Sequence, residues 1–151
     1  MSPERPVPAA KLTVVTLGVS DIRRSIAFYE ALGFERRMRA TGEEVAFFET
    51  GATVLALYSW LRLAEDAALA DQPRPQGFRG MTLAWNCASE QEVDAVLAFA
   101  VVQGATLLRV AHRTDYGGYS GYFTDPDGHP WEVVVAPGID VGTDRRVHLP
   151  D

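Results

Sequence analysis

The sequence predicts an α+β fold in which two tandem βαβββ modules form a curled mixed sheet around a cavity. Two observations support this prediction. The same order of elements occurs twice along the 151 residues, and a glycine ends the helix of each half, Gly33 in the first and Gly104 in the second. Because a four-stranded sheet with one helix buries only one face, two such sheets can share a cavity where a ligand would bind.

The first half begins with a predicted strand over 12–19, which is rich in β-branched and aliphatic residues. Asp21 follows at the N-cap position of a helix. The apolar residues of that helix recur at spacings of four and three: Ile22, Ile26, Tyr29 and Leu32. Three further strands are predicted over 34–40, 43–49 and 52–58, separated by turns that contain glycine.

The second half repeats this order after a predicted strand over 81–88. Ser89 and Glu92 have the spacing of a capping box at the start of the second helix. Three strands are again predicted after the helix, over 105–111, 119–124 and 131–136. The Asp-Pro-Asp-Gly sequence at 125–128 is typical of a tight turn between the last two strands.

The repeat also predicts how the chain is divided. A short helix is predicted from Trp60 to Ala70, and Pro73 and Pro75 prevent it from continuing. The predicted segments are a flexible lead at 1–10, a first module at 11–58, a connector or lid at 59–79, a second module at 80–136 and a C-terminal tail at 137–151.

Composition narrows the classes of partner. The formal net charge is −6, from 20 acidic and 14 basic residues, and Lys11 is the only lysine. A nucleic-acid-binding protein normally has a basic face, so nucleic acid is not expected as a partner. No stretch is apolar and long enough to span a membrane, and no signal peptide is evident, so a cytoplasmic location is expected. The single cysteine, Cys87, excludes an intrachain disulfide and fits a small buried side chain.

Two motifs give the sequence a family resemblance. The first is Asp-x-x-x-Ser-x-x-Phe-Tyr at 21–29, followed by Leu-Gly-Phe at 32–34. The second is Phe-x-Asp-Pro-Asp-Gly-x-x-x-Glu at 123–132. Over residues 11–136 the chain resembles the vicinal oxygen chelate superfamily, which includes glyoxalase I, extradiol dioxygenases and bleomycin resistance proteins. The resemblance implies the double βαβββ fold and, since members of this superfamily commonly pair, a homodimer.

The resemblance also locates the metal ligands that metal-dependent members use. Those members bind one divalent ion through four side chains, usually His, Gln or Glu, on the first and last strands of each half. Carried over one by one, these positions fall on Val14, Leu55, Met81 and Glu132. Only Glu132 is a good donor to a hard divalent ion. We therefore expect no metal at these positions and no cofactor.

Glu132 is the first candidate for chemistry. In the family geometry it points into the cavity, where it is suited to act as an acid, a base or an anionic anchor. The alternative is a relic of a ligand position, paired with an arginine such as Arg109. His112, at the end of a strand, is the histidine best placed to act as a general base. The expected ligand-binding residues are Leu55, Met81, Trp85, Tyr119, Tyr122 and Glu132.

These residues predict a protein that binds a small, cationic or aromatic molecule without the usual metal and sequesters it without turnover, as bleomycin resistance proteins do. The alternative is a metal-dependent lyase, isomerase or dioxygenase of the glyoxalase type, with a nonstandard ligand set that includes Glu132. A third interpretation is an unreactive dimeric scaffold.

Overall fold

The chain forms two four-stranded mixed sheets that share one hydrophobic core. A computed structural model describes residues 6–151. In chain order the elements are β1 (Val14–Val19), α1 (Ile22–Ala31), β2 (Glu35–Arg37), β3 (Val45–Glu49), β4 (Val54–Ser59), α2 (Trp60–Asp66), β5 (Leu83–Asn86), α3 (Glu90–Val102), β6 (Thr106–Arg113), β7 (Tyr119–Thr124), β8 (Pro130–Val135), β9 (Asp140–Val141) and β10 (Val147–His148).

The two modules have the same topology, which confirms the predicted fold class. The strand order is β1-β4-β3-β2 in the first sheet and β5-β8-β7-β6 in the second. In each sheet the first and last strands of the module pair in parallel, and the other pairs are antiparallel. Equivalent strands therefore occupy equivalent places. No helix in the described part of the chain is long and apolar enough to cross a membrane.

The capping contacts predicted at the starts of α1 and α3 are present. The Asp21 side chain accepts a hydrogen bond from the backbone N–H of Arg24 at 3.1 Å, and the Ser89 hydroxyl accepts one from Glu92 at 3.1 Å. The Glu92 carboxylate accepts in turn from the backbone N–H of Ala88 at 2.6 Å, one residue earlier than in a standard capping box. These caps satisfy N–H groups that a helix start leaves without partners.

Two predicted elements are shorter in the structure. The strand expected over 34–40 ends at Arg37, because Met38 has a φ of 50° and the chain then enters a 3₁₀ turn over Arg39–Thr41. The helix expected to reach Ala70 ends at Asp66, shortly before Ala68, whose φ is 58°. Positive φ values of this kind interrupt both strand and helix geometry. The C-terminal tail, which the sequence left unassigned, forms the small hairpin β9–β10.

The core joins the two modules through aromatic side chains. Tyr29 of α1 lies 6.0 Å from Trp131 of β8, measured between ring centroids, and Phe34 lies 5.6 Å from Trp85 of β5. Tyr29 is fully buried, and Trp131 is 5% exposed. The modules therefore share an apolar interior. Cys87 belongs to this core, and burial is the main reason that the pKa of its thiol is raised to about 12.

A buried hydrogen-bond cluster centred on Asp125 lies in this interior. The Tyr29 hydroxyl donates to Asp125 Oδ2 at 2.6 Å and accepts from the indole N–H of Trp131 at 3.0 Å. The other carboxylate oxygen, Oδ1, accepts from the backbone N–H groups of Asp127 and His129, both at 2.9 Å. Burial, followed by the nearby Asp125 carboxylate, raises the pKa of Tyr29 well above its ordinary value, so the hydroxyl remains a donor.

Two further residues, Asp127 in the β7–β8 turn and His129 just after it, form hydrogen bonds to the first module. The side chain of Asp127 accepts from the backbone N–H of Ser20 at 2.9 Å and from the Ser25 hydroxyl at 3.3 Å. Burial alone would raise the pKa of Asp127, but the hydrogen bonds from Ser20, together with Arg24 and Ser25, lower it. His129 Nε2 lies 2.7 Å from the carbonyl oxygen of Gly18 and therefore carries the ring proton.

We expect Tyr29→Phe to lower the free energy of unfolding by about 1–3 kcal/mol, because Asp125 and Trp131 both lose a buried hydrogen-bond partner. Urea denaturation measures the change. Tyr119→Phe is the matched control, since the Tyr119 hydroxyl donates to Asp94 at an exposed position, and its loss should change stability by less than about 0.5 kcal/mol. A Tyr29→Phe variant as stable as the parent would show that the buried cluster does not hold the modules together.

Candidate ligand-binding groove

The second sheet has one face in the core and one that is available to a ligand. Trp131 and Val133 of β8 are buried in the core, so Glu132 between them points to the opposite face, which we call the open face. Tyr122 of β7 is paired with Glu132 in the antiparallel register, and Ser120 lies two residues from Tyr122 on the same face. This alternation places polar side chains of two neighbouring strands together.

An open groove of about 440 Å³ follows this face. Its lining residues come entirely from the second module: Arg109, His112, Arg113, Thr114, Asp115, Tyr116, Ser120, Tyr122 and Glu132. Most of these side chains can donate a hydrogen bond, and two of the lining residues are tyrosines. We call it the polar groove.

Glu132 and Tyr122 form a hydrogen-bonded pair in the polar groove. The Tyr122 hydroxyl donates to Oε2 of the Glu132 carboxylate. This hydrogen bond is the largest cause, ahead of burial, of the rise in the pKa of Tyr122 to about 12. The internal partner of Glu132 is therefore a tyrosine hydroxyl, where the sequence suggested an arginine such as Arg109. Arg109 is nevertheless close, because it lies opposite Tyr122 in the β6–β7 register, and its charge opposes the rise in the pKa of Tyr122.

Two irregularities in β6 determine which of its side chains reach the groove. Leu107 pairs with Phe123 but Arg109 pairs with Tyr122, so one extra residue is present in β6 at Leu108. A second extra residue lies between Arg109 and His112. In a regular strand Arg109 and His112, three residues apart, would face opposite sides of the sheet. The second bulge lets both of them line the polar groove.

Gly121 makes room for this irregular strand. A Cβ atom at Gly121 would lie 2.6 Å from Cδ1 of Leu97 and 2.9 Å from the carbonyl oxygen of Arg109. It would also lie 3.0 Å from the backbone nitrogen of Ala111. The backbone of β6 therefore approaches β7 where only hydrogen fits. A Cβ atom at Gly118 of the same segment would lie equally close, 2.6 Å, to the ring of a groove-lining tyrosine.

The charges around the groove are only partly neutralised. Arg113 forms a bidentate ion pair with Glu90 of α3, with N–O distances of 2.7 and 3.2 Å. Both partners are well exposed to solvent, so the pair adds little stability, but it offsets the charge of Arg113. The other charged groups of the lining are the guanidinium of Arg109 and the carboxylates of Asp115 and Glu132. The lining itself therefore carries two positive and two negative side chains, and Glu90 beside it adds a third negative one.

Three of the predicted site residues lie in the polar groove. Glu132 and Tyr122 form its central pair, and His112 contributes to its wall. His112 Nδ1 lies 3.4 Å from the carbonyl oxygen of Val110 in its own strand. The structure thus brings the proposed acid and base side chains to one groove. Their roles in binding or catalysis stay predictions.

Four other predicted residues do not line the polar groove. Trp85 faces the core and packs against Phe34, and Tyr119 lies on the α3 side, where it reaches Asp94. Leu55 is 4% exposed and belongs to the core of the first module. Met81 is 46% exposed and precedes β5. Tyr119 and Tyr122 are three residues apart, and side chains at such a spacing in a regular strand face opposite sides of the sheet.

Comparison with known proteins supports this fold and identifies the family of the chain. The sequence model of the glyoxalase/bleomycin resistance protein/dioxygenase superfamily matches residues 11–133. The chain belongs to this superfamily. It is 32% identical over 134 residues to the metallothiol transferase FosB of Lysinibacillus sphaericus strain C3-41, covering 87% of this chain and 88% of the relative.

Solved structures of family members resemble most of the chain. A glyoxalase-related enzyme from Fulvimarina pelagi is 35% identical, with a TM-score of 0.83 over 95% of this chain and 100% of that one. A lactoylglutathione lyase from Agrobacterium tumefaciens has a TM-score of 0.65 at 23% identity, over 85% of this chain and 96% of that one. The second likeness shows the fold alone.

The family's metal does not fit the side chains at the corresponding positions. Val14, Leu55 and Met81 offer no oxygen or imidazole donor, and Leu55 is turned into the core. Neighbouring positions do not replace them, because Val14 lies beside Val54 in the β1–β4 register and Ala84 lies opposite Glu132. Among residues 6–151, no three His, Cys, Asp or Glu side chains are grouped so as to hold a metal ion. One carboxylate does not make such a site.

Proposed function

We propose that this protein binds a small cationic or aromatic molecule in the polar groove and retains it without a metal-dependent reaction. The observation that carries the proposal is the Glu132–Tyr122 pair, which lies on the open face while the other family metal positions hold apolar side chains. The Tyr122 hydroxyl occupies one oxygen of the carboxylate, and the second oxygen, which accepts no side-chain hydrogen bond within residues 6–151, can accept one from a ligand. A cationic group there would form a charge-assisted hydrogen bond.

The aromatic rings support the same ligand class. Tyr116 lines the groove and is 56% exposed, and Tyr122 forms part of its wall. The faces of such rings attract cations and stack against other rings. Together with the two carboxylates, they favour a ligand that combines positive charge with an aromatic group.

A second candidate is a metal-dependent transfer reaction, and the observation in its favour is the similarity to FosB. The name metallothiol transferase implies that this relative uses a metal and a thiol. For this chain, such a reaction would require a nonstandard ligand set that includes Glu132. His112 would then be the nearest candidate for a general base, since it lines the same groove. The donor set described above makes this the weaker proposal.

We further propose that the protein is a homodimer. The outer strand β6 leaves Leu107 44% exposed and Val110 65% exposed, although both are large apolar side chains. An exposed edge strand with apolar side chains is suited to pairing with another chain. A second copy of this chain is the occupant we propose, in agreement with the dimers expected from the family resemblance.

Glu132→Gln should weaken the binding of benzylammonium, used as a cationic aromatic probe, by about 1.5–3 kcal/mol, because the amide keeps the shape of the side chain but removes its charge. Isothermal titration calorimetry measures the affinity. Glu65→Gln is the matched control, since it makes the same charge change on the exposed helix α2 and should leave binding unchanged. Equal affinities for parent and Glu132→Gln would place the site elsewhere.

The dimer proposal predicts a mass of about twice 16.5 kDa by light scattering at micromolar concentration. Val110→Glu should shift the protein toward the monomer, because a charge in an apolar contact is costly to bury. Val102→Glu provides the control, since Val102 is 79% exposed at the end of α3. A monomeric mass for the parent would refute the proposal.

A further inference from the structure

A second groove lies next to the polar groove and differs from it in character. It has a volume of about 400 Å³, and its lining is mostly apolar: Phe78, Thr82, Leu108, Arg109, Tyr122 and Pro130. We call it the apolar groove. Arg109 and Tyr122 line both grooves, so the two are continuous across these side chains. A molecule bound to Glu132 would have the apolar groove as its neighbour.

The first bulge of β6 builds one wall of the apolar groove. Successive residues of a regular strand face opposite sides of the sheet, yet Leu108 and Arg109 both line this groove. The extra residue at Leu108 explains this, because a bulge changes the direction in which side chains point. Leu108 is 59% exposed as a result. A large apolar side chain is thus presented to solvent beside the polar site.

The connector supplies the opposite wall through Phe78, which is 74% exposed. The neighbouring residue, Arg79, is firmly placed. It donates to the carbonyl oxygen of Asp127 at 2.8 Å, lies 3.3 Å from Nδ1 of His129, and its guanidinium stands 5.1 Å from the centroid of the Trp60 ring. The backbone at Phe78 is therefore held beside the second module, although its ring is open to solvent.

We propose that the apolar groove binds the hydrocarbon part of the same ligand whose polar group reaches Glu132. The ligand class is then an amphipathic small molecule, in which a cationic or hydrogen-bond-donating group carries an aryl or alkyl chain. Covering Leu108 and Phe78 would remove apolar surface from water, which favours binding. This inference rests on the proposed function, because Glu132 fixes the position of the polar group.

A series of phenylalkylammonium ions tests the proposal: benzylammonium, 2-phenylethylammonium and 4-phenylbutylammonium. In calorimetric titrations of the parent, affinity should rise about fourfold for each added methylene. Leu108→Ser and Phe78→Ser should each reduce this rise and leave the affinity for benzylammonium nearly unchanged. Val102→Ser, which removes an exposed valine that lines neither groove, should keep the full rise.

The outcomes separate this inference from the proposed function. Binding that depends on Glu132 but does not change with chain length would overturn the inference and leave the proposed function standing. If Val102→Ser also lost the increase in affinity with chain length, the ions would be adsorbing nonspecifically, and the inference would be overturned. If none of the ions binds, or if binding does not depend on Glu132, both proposals fail.

Discussion

The buried carboxylate of Asp125 is the interaction on which the arrangement of the two modules depends. It accepts hydrogen bonds from the Tyr29 hydroxyl of the first module and from two backbone N–H groups of its own turn. A buried carboxylate is costly unless its oxygens are satisfied, so the groups around Asp125 have to be in place together. The Asp-Pro-Asp-Gly turn therefore connects β7 to β8 and also bonds the second module to the first. Asp127 and His129 add hydrogen bonds to the backbone of Ser20 and Gly18.

These hydrogen bonds also determine the position of the groove, because β8, which carries Glu132, begins directly after the turn. Trp131 is held in the core by Tyr29, and alternation along the strand then directs Glu132 to the open face. Tyr122 in the neighbouring strand completes the pair. The site therefore stands on two regularly paired strands, while the bulged strand β6 adds Arg109 and His112 from one side. Gly121 is required where the bulge passes close to β7.

The sequence predicted the order of the elements, because helix caps, alternating strands and turn residues are local patterns. Glu132 was proposed from the family resemblance, with an arginine such as Arg109 as its partner, and the hydrogen bond from Tyr122 depends on the β7–β8 register, which no local pattern reveals. Positions that depend on register were less predictable. Leu55 lies on the core face, because the register pairs Val14 with Val54 and places Leu55 beside Val15. The bulges of β6 and the position of the connector result from packing between distant segments, for which no local pattern exists.

The central claim is that Glu132 works in this family fold as a carboxylate without a metal. Metal analysis of protein purified without chelator, and again after dialysis against zinc, nickel, manganese or iron, tests it most directly. Since only one of the four family positions offers a strong donor, the account predicts far less than one ion per chain under both conditions. One tightly held ion per chain that is lost in Glu132→Ala would contradict the account.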